Sequence, residues 1–356
     1  HYSDEQYFKQ EIPQIFNSNW QFVCLKSEIA EQFSFATVNY FGQQYFAVNI
    51  NNNIYSFQNI CTHRANKIYL EDFGKRPIMC LYHSWVFDEN GKPQNAFNKE
   101  FIENVDVDEL TLTNYKVEIV GDFVFVNFGN CKISLKEQLG FFYDELISFS
   151  GFMGKKIENV TMENQANWKL LIENVLECYH CATVHKDTLF KKFGMGKKSL
   201  ENVKLFNGNS SFEIPLIASK DTIRRDKILK YLDARKLKHS SFHHIFIYPN
   251  LFITSTEGIS LYVAHLQPIS SSKSILKARY FEPDIDEIEE YRNLQDIVND
   301  EIVNFGSFII NEDKDIIENV QKSLFISNRN LHLNREEVRI KEFHEQYCSQ
   351  INTYDF

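Results

Sequence analysis

Between Asn167 and His185 the chain reads NWKLLIENVLECYHCATVH, and its apolar residues recur at three- and four-residue steps. This spacing predicts a helix with an apolar face. Glu177 and His180 are three residues apart, so a helix would stack their side chains on one polar surface. His185 lies five residues after His180, and both imidazoles can reach one ion only if the helix ends, bends or contains a π-type turn near Ala182. A surface helix with two solvated histidines is the alternative.

Two parts of the chain are dominated by short β-type runs separated by turn residues. The first, with a turn signal at Gly42, predicts a small antiparallel β domain over residues 35–128. The second lies within 205–281 and predicts an antiparallel sheet packed by helices in a second domain, residues 129–356. Residues 1–34 are predicted to be an N-terminal segment that packs on this second domain. The expected fold class is therefore α+β.

The second set of strands contains histidines that could be ligands and aromatic residues that could line a pocket, or that could simply pack in the core. His243 and His244 are adjacent, so in a strand they face opposite ways, and both are expected to be structural or exposed. His265, inside a predicted strand, is expected to be a hydrogen-bonded core residue. Four aromatic residues could line a pocket, with core packing as the alternative for each: Phe246, Tyr248, Phe252 and Tyr262.

The charged stretch 284–324 is predicted to be helical, and its segment NEDKDIIENVQKSL contains four acidic residues. The predicted buried stripe consists of Ile316, Ile317, Val320 and Leu324. Asp313 precedes the first two of these by three and four residues, so it is predicted to point inward. An inward carboxylate is costly unless it is paired or bound to a metal, which makes Asp313 a candidate ligand. The alternative is a helix N-terminal carboxylate favoured by the helix dipole.

Two short motifs in the first β domain combine thiol and imidazole side chains. Cys61 and His63 stand in CTHR, and Cys80 and His83 stand in CLYHSW, sixteen residues after CTHR. A tetrahedral zinc site with two thiolates and two imidazoles is one possibility. Mixed Cys–His pairs on two loops suit a Rieske-type [2Fe–2S] cluster better, because one iron takes both thiolates and the other both imidazoles.

Composition narrows the possible partners and the compartment. With 32 Phe and 17 Tyr, a pocket in this protein is expected to have aromatic walls. The formal net charge of −10 argues against a nucleic-acid partner and is compatible with a cationic substrate. Seven Cys, an odd number, fit a reducing cytoplasm and favour metal ligands over crosslinks.

No run approaches the roughly 18 apolar residues of a membrane helix, and the first residues lack a secretory pattern. We therefore expect a cytoplasmic protein that does not bind a membrane.

Together these segments resemble the α subunit of Rieske non-haem iron oxygenases over nearly the whole chain. The matching sequences are CTHR, CLYHSWVFDENGKP, NWKLLIENVLECYHCATVH, EDKDIIENVQKSL and REEVRIKEFHE. The resemblance implies a Rieske domain, a catalytic domain of helix-grip-like fold, and O2 as co-substrate. His180, His185 and Asp313 would form a facial triad for a mononuclear Fe(II) with positions left open for O2.

The motif ENVLECYHC is most similar to the branch that contains carnitine, choline and glycine-betaine-type monooxygenases. The position three residues before the first iron histidine is most often Asp in the family, whereas here it is Glu177, as in carnitine monooxygenases. The resemblance implies that Glu177 bridges His180 and His83 of a neighbouring subunit and carries the electron between them. It therefore also implies a ring-shaped homotrimer, because the two metal sites of one chain would lie too far apart.

The implied reaction is hydroxylation of a C–H bond, expected next to nitrogen in a quaternary ammonium compound or related amine. N-demethylation or C–N cleavage would follow. Electrons from NAD(P)H are expected through a separate flavin- or ferredoxin-type reductase, because this chain has no Gly-rich dinucleotide-binding motif. An aromatic-ring hydroxylating or O-demethylating Rieske oxygenase would share every metal residue.

A zinc-binding structural protein is a more distant alternative, in which Cys178 and Cys181 join the helix histidines around a second zinc. The chain also departs from the family pattern at two positions. Ala65, two residues after His63, and Ser84, directly after His83, stand where the family usually has Gly. Both side chains are small, so cluster ligation is expected to be kept, although the cluster potential could shift.

Overall fold

The structure is a computed structural model of the chain. The residues that it describes are 1–94, 106–129, 131–196, 201–216, 241–284, 289–327, 329 and 331–351, with residues 107 and 289–294 described by their backbone alone. The part of the predicted second sheet at 217–240 lies outside these ranges. Contacts divide the chain into two compact units, one formed by Phe16–Gln138 and the other by His1–Ile15 with Leu139–Phe356.

The unit Phe16–Gln138 contains a seven-stranded antiparallel sheet, in the order β1-β7-β6-β4-β3-β2-β5. Its strands are β1 (Gln21–Leu25), β2 (Ser34–Tyr40), β3 (Gln43–Ile50), β4 (Asn53–Gln58), β5 (Phe73–Lys75), β6 (Asn114–Val120) and β7 (Phe123–Asn127). The turns β2–β3 and β3–β4 have left-handed residues at Phe41, Gly42, Asn51 and Asn52. Gly and Asn adopt such conformations readily, so these hairpins follow from turn chemistry. The two Cys–His motifs lie on loops outside the strands, one after β4 and the other after β5.

The other unit contains a second seven-stranded antiparallel sheet, in the order β8-β14-β13-β12-β11-β10-β9. Its strands are β8 (Met153–Asn164), β9 (Glu201–Phe206), β10 (Asn209–Pro215), β11 (Ser241–Ile247), β12 (Leu251–Thr256), β13 (Ser260–Ser270) and β14 (Lys273–Pro283). Among the described residues, the α-helices are α1 (Glu5–Glu11), α2 (Leu135–Leu139), α3 (Phe142–Ser150), α4 (Trp168–Val175), α5 (Glu289–Leu324) and α6 (Val338–Ile351). The predicted α+β class with two antiparallel sheets is confirmed.

The unit bounds differ from the predicted domain bounds at residues 34 and 128. Strand β1 pairs with β7, so residues from Phe16 onward join the first sheet. The segment that does belong with the second sheet is His1–Ile15, whose Glu11 forms a buried ion pair with Lys169 of α4 (Oε1 to Nζ, 2.5 Å). Trp168 Nε1 also donates to Glu11 (2.7 Å). Two buried charges that are paired and hydrogen-bonded in this way hold the start of α4 against the N-terminal helix.

Helix α5 buries a different stripe from the predicted one. Ile316 and Val320 are 46% and 40% exposed, whereas Ile317 and the polar Gln321 are buried. Gln321 Oε1 accepts a hydrogen bond from the backbone N–H of Asn167 (2.7 Å). The buried face of α5 therefore contains a hydrogen-bonded polar side chain, whereas the prediction placed only apolar side chains there. The stripe prediction was wrong at Ile316 and Val320 because it counted only apolar residues as inward. Asp313 is nevertheless partly buried, one turn before Ile317.

None of the helices within the described ranges combines the length and the hydropathy that crossing a membrane requires.

Candidate active site

The backbone leaves the helical path after α4, earlier than the predicted interruption near Ala182. Leu176 is the C-cap of α4, a single 3-10 turn covers His180–Ala182, and a π-type helix begins at Lys186. Glu177 accepts a hydrogen bond at Oε2 from the backbone N–H of His180 (3.2 Å) and another from that of Tyr179. A side chain that captures nearby backbone donors competes with helix continuation, which accounts for the break.

The break brings His180 and His185 to the same point in space as Asp313 of α5. One ligand atom from each of the three residues lies within 4.8 Å of the other two. Asp313 Oδ1 is 3.0 Å from His185 Nε2 and 3.6 Å from His180 Nε2. Asp313 Oδ1 is also buried without a hydrogen-bond partner among the described residues. An orphaned carboxylate oxygen facing two imidazole nitrogens fits a divalent cation of the facial-triad type.

A second carboxylate holds the far edge of each imidazole. Glu177 Oε1 contacts Nδ1 of His180, and Glu312 Oε2 lies 2.9 Å from Nδ1 of His185. Thr188 Oγ1 donates to the same Glu312 oxygen (2.9 Å). A proton on Nδ1 that is shared with a carboxylate leaves Nε2 free to bind a metal, which is the usual support of a histidine ligand.

Burial by itself lowers the pKa of His185. The adjacent carboxylates of Asp313 and Glu312 outweigh that effect and raise the pKa of His185 above its usual value. Sequence reasoning missed Glu312 as the partner of His185. Periodicity gave no sign of it, but the need of a histidine ligand for a carboxylate on its other nitrogen could have drawn attention to the acid beside Asp313.

The second candidate metal centre lies on two loops of the unit Phe16–Gln138. The thiols of Cys61 and Cys80 are buried, and the imidazoles of His63 and His83 are exposed with ring centroids 4.6 Å apart. Burial raises the pKa of the Cys61 thiol to about 11, so a bound cation is needed to keep it as thiolate at neutral pH. The two thiols thus face the protein interior, whereas the two imidazoles face solvent.

These four residues do not converge as the ligands of one ion would. Within the part of the chain that the structure describes, His180, His185 and Asp313 are the one group of three or more His, Cys, Asp or Glu whose ligand atoms all come within 4.8 Å. Ligands of a single tetrahedral zinc, bonded at about 2.0–2.3 Å, would all lie closer to one another than that. Separated pairs of thiols and imidazoles fit a two-iron cluster and argue against the zinc alternative.

The two ligand loops have the same backbone geometry. Ala65 N donates to Cys61 O (3.0 Å), and Ser84 N donates to Cys80 O (2.8 Å). Ala65 and Ser84 have φ of 56° and 58°, in the left-handed region. This conformation is strained for a residue with a Cβ, which is the physical reason why Gly suits both positions.

A cavity of about 390 Å³ extends from the His180, His185 and Asp313 cluster. Aromatic side chains form much of its wall, among them Phe212, Phe242, Phe252, Tyr262 and Tyr280. Glu257 and Glu301 also contribute, and as far as described residues form the wall it contains no Lys or Arg. The expected aromatic wall is therefore present, and the charged side chains described in it are acidic rather than basic.

Of the four aromatic candidates, Phe252 and Tyr262 line the cavity, whereas Phe246 and Tyr248 pack in the core against Phe343 at centroid distances of 6.0 and 5.8 Å. His244, expected to be structural or exposed, is buried in the cavity wall. Sequence reasoning could not find it, because adjacent histidines in a strand do not show which of them faces a cavity.

Cys178 and Cys181 form a disulfide in the cavity wall. The expectation that clustered cysteines serve as ligands was wrong for this pair. Both sulfurs are bonded to each other, so neither can join His180 and His185 in the second zinc set of the structural alternative.

Comparison with known families agrees with this geometry. Residues 154–353 match the ring-hydroxylating alpha subunit (catalytic domain) family, and residues 19–106 match the Rieske [2Fe–2S] domain. The first match covers more than half of the chain, so the chain belongs to the ring-hydroxylating alpha subunit family and contains a Rieske domain. The two domains imply a Rieske cluster and a mononuclear iron as cofactors, as predicted.

Similar curated proteins include the carnitine monooxygenase oxygenase subunit of Acinetobacter baumannii, 30% identical over 189 residues, which are 52% of this chain and 51% of the relative. The glycine betaine monooxygenase oxygenase subunit of Chromohalobacter salexigens is 30% identical over 190 residues, 53% of this chain and 42% of the relative. The matched region thus spans about half the length of these relatives or less. The resemblance to this branch is confirmed.

Solved structures show the same fold along the chain. A quaternary ammonium Rieske monooxygenase aligns with a TM-score of 0.80 at 20% identity, covering 99% of this chain and 94% of the other. Naphthalene 1,2-dioxygenase from Rhodococcus sp. aligns with a TM-score of 0.75 at 15% identity, covering 98% and 92%. At these identities the likeness concerns the fold alone.

Proposed function

We propose that this chain is the oxygenase component of a Rieske monooxygenase that hydroxylates a C–H bond with O2 and externally supplied electrons. The observation that carries the proposal is the orphaned Oδ1 of Asp313, buried beside the Nε2 atoms of two histidines at one end of an aromatic cavity. His180, His185 and Asp313 would hold the mononuclear iron. Cys61, His63, Cys80 and His83 would hold the cluster. The iron supplies O2 activation and the cluster supplies electrons.

The substrate we propose is a quaternary ammonium compound or a related amine. Aromatic faces attract such a cation by about 0.5–2 kcal/mol each, depending on how fully it is desolvated. Glu257 and Glu301 add negative charge to the wall. The names of the relatives, carnitine and glycine betaine monooxygenase, point to the same class. Hydroxylation of a carbon next to nitrogen gives a product that loses the amine and leaves a carbonyl group, so N-demethylation or C–N cleavage results.

We further propose that Glu177 passes electrons from His83 of a neighbouring subunit to His180 within a homotrimer. Glu177 contacts His180 Nδ1 directly, and His83 is exposed. Apolar side chains next to both residues are exposed as well: Tyr82 is 54% exposed beside His83, and Tyr179 is 68% exposed beside Glu177. Tyrosine is enriched among the residues that contact another protein chain. Inter-subunit electron transfer is described for the similar quaternary ammonium monooxygenase.

The electrons would reach the cluster from a separate flavin- or ferredoxin-type reductase, with NAD(P)H as their source and the cytoplasm as the compartment. The similar curated proteins are themselves oxygenase subunits, which by that name belong to multicomponent systems. The exposed imidazole of His63 offers a reductase a route to the cluster that does not use His83, the residue assigned to the contact between subunits.

The test is a single turnover of the dithionite-reduced protein with O2 and a panel of carnitine, choline, glycine betaine and simple aromatic acids. A hydroxylated or dealkylated product from a quaternary amine is the expected result. Product from an aromatic acid alone would favour the ring-hydroxylating alternative and contradict the quaternary ammonium substrate. Asp313→Ala is the matched control. It should lose turnover and mononuclear iron but keep the cluster spectrum, and retained turnover would transfer the ligand role to Glu312.

A further inference from the structure

His244 is a buried polar side chain in the wall of the aromatic cavity. It lies in β11 and is 3% exposed. Its imidazole stacks against Phe212 on one side (centroids 5.4 Å apart, interplanar angle 13°) and Phe252 on the other (6.1 Å, 7°). All three residues line the cavity. Two aromatic neighbours hold the ring in one plane, so each of its nitrogens points in a defined direction.

Arg339 of α6 determines which nitrogen of His244 carries the proton. Arg339 Nη2 lies 3.0 Å from His244 Nδ1. A guanidinium can only donate hydrogen bonds, so Nδ1 is the acceptor and the proton is on Nε2. Arg339 is itself buried and donates to Ser210 Oγ (2.9 Å) and to the carbonyl of Leu176 (3.2 Å) at the negative end of α4. These contacts keep the guanidinium in place and fix the tautomer.

Among the described residues, nothing accepts a hydrogen bond from the Nε2–H of His244. Nε2 is buried, and no hydrogen bond to it exists within the described part of the chain. A buried donor that stays unpaired destabilises the fold, so one in a cavity wall indicates an acceptor that comes from outside the chain. Burial and the charge of Arg339 also lower the pKa of His244 well below its usual value, so the ring stays neutral with a single N–H. The cation at Nδ1 polarises the ring and strengthens that donor.

We propose that His244 Nε2–H binds an acceptor oxygen of the substrate, best a carboxylate, while the aromatic walls hold its alkylammonium end. The assignment rests on the proposed function and adds to it a residue that determines specificity. The substrate class becomes a zwitterion rather than a simple cation. Arg339 is a positioning residue, because it acts by orienting His244. An internal water that pairs permanently with Nε2 is the competing explanation.

The test uses two pairs of probes that differ only in a carboxylate: glycine betaine with tetramethylammonium, and carnitine with 2-hydroxypropyltrimethylammonium. Their binding to the reduced holoenzyme is measured without O2 by calorimetry. The wild type should prefer the carboxylate member of at least one pair by about tenfold, the effect of one hydrogen bond to a charged group. His244→Asn keeps an acceptor for Arg339 but has no donor at the Nε2 position, so it should lose the preference.

His244→Gln places an amide N–H near the Nε2 position and should retain part of the preference. A role confined to pairing with Arg339 would give the opposite order, with Asn better than Gln. His243→Asn is the control, because His243 directly precedes His244 in the strand and faces the other side of the sheet. Equal affinities within both pairs in the wild type, or a preference that survives His244→Asn, would overturn the proposal.

Neutron diffraction from crystals of the holoenzyme supplies a readout that does not depend on catalysis. A deuteron on Nε2 and none on Nδ1 is expected, and the reverse would overturn the proposal. A water bonded to Nε2 in complexes with either pair of probes would do so as well. If no probe binds, the quaternary ammonium substrate is contradicted, and the neutron map still decides the tautomer and the partner of Nε2.

Discussion

Glu312 Oε2 lies 2.9 Å from Nδ1 of His185, while Asp313 Oδ1 approaches Nε2 of the same ring at 3.0 Å. Two consecutive residues of one helix therefore hold the two edges of one imidazole. The two carboxylates differ in their other contacts. Asp313 Oδ1 has no hydrogen-bond partner among the described residues, which suits a metal ligand, whereas Glu312 also accepts a hydrogen bond from Thr188, which suits a residue that orients His185.

Glu312→Gln should weaken binding of the mononuclear iron about tenfold, because a neutral amide orients His185 less firmly and leaves Nε2 a weaker ligand. The measurement is competition for iron with a chelator, with cluster absorbance recorded to show that the other site is unchanged. Asp315→Asn is the matched control, since Asp315 is exposed on the same helix. Equal iron affinity in Glu312→Gln and wild type would contradict the orienting role.

Glu177→Gln should retain both metal sites and lose electron transfer between them. The amide cannot carry the charge that couples it to the imidazole of His180. All proposed ligand residues are kept, so both sites should still fill when iron is supplied in excess, even if the iron is bound more weakly, as in Glu312→Gln. The measurement is the rate at which the reduced cluster is reoxidised with substrate and O2 present, with trimer formation checked by size. Glu163→Gln, on an exposed part of β8, is the control. A monomeric wild-type protein with full activity would rule out the cross-subunit route.

Ala65→Gly should stabilise the cluster-binding loop. The left-handed φ of Ala65 costs roughly 1–2 kcal/mol for a residue with a Cβ, and the added freedom of Gly in the unfolded chain offsets part of the gain. A net increase of about 0.5–1 kcal/mol is expected. It should be visible as a higher midpoint temperature for loss of cluster absorbance. The same substitution at Ala36, in the interior of β2, should lower that midpoint. A fall at both positions would show that strain at Ala65 is negligible.

Stability should decline as the pH falls below about 6.5, the unfolded pKa of histidine. Burial and the charges of Arg279 and Lys277 hold the pKa of His265 well below that value, so below pH 6.5 the unfolded chain binds a proton that the folded chain does not. At pH 5 one such histidine costs up to about 2 kcal/mol relative to pH 7.

His265→Asn, which keeps an acceptor for Arg279 (Nη1 3.3 Å from His265 Nδ1), removes the titrating group. Its free energy of unfolding by urea should therefore change less between pH 7 and pH 5 than that of the wild type, even if it is lower at both. The same pH dependence in both proteins would contradict a neutral His265.

Local sequence was sufficient for the features that depend on short spacing. The two Cys–His motifs, the helix that begins at Trp168 and the β-rich character of both units follow from residues within a few positions of one another, and the family comparison supports them. Asp313 was singled out by its spacing from Ile317, which is indeed buried, although Ile316 and Val320 are exposed.

Tertiary structure alone decided the features that join distant parts of the chain. β1 belongs to the first sheet because it pairs with β7, about a hundred residues away. Glu312 meets His185, 127 residues earlier in the chain, because α5 packs beside the break after α4. The orientation of His244 depends on Arg339, 95 residues later in the chain. Periodicity predicts which face of an element is buried, but the partner that a buried polar atom meets there is set by long-range packing.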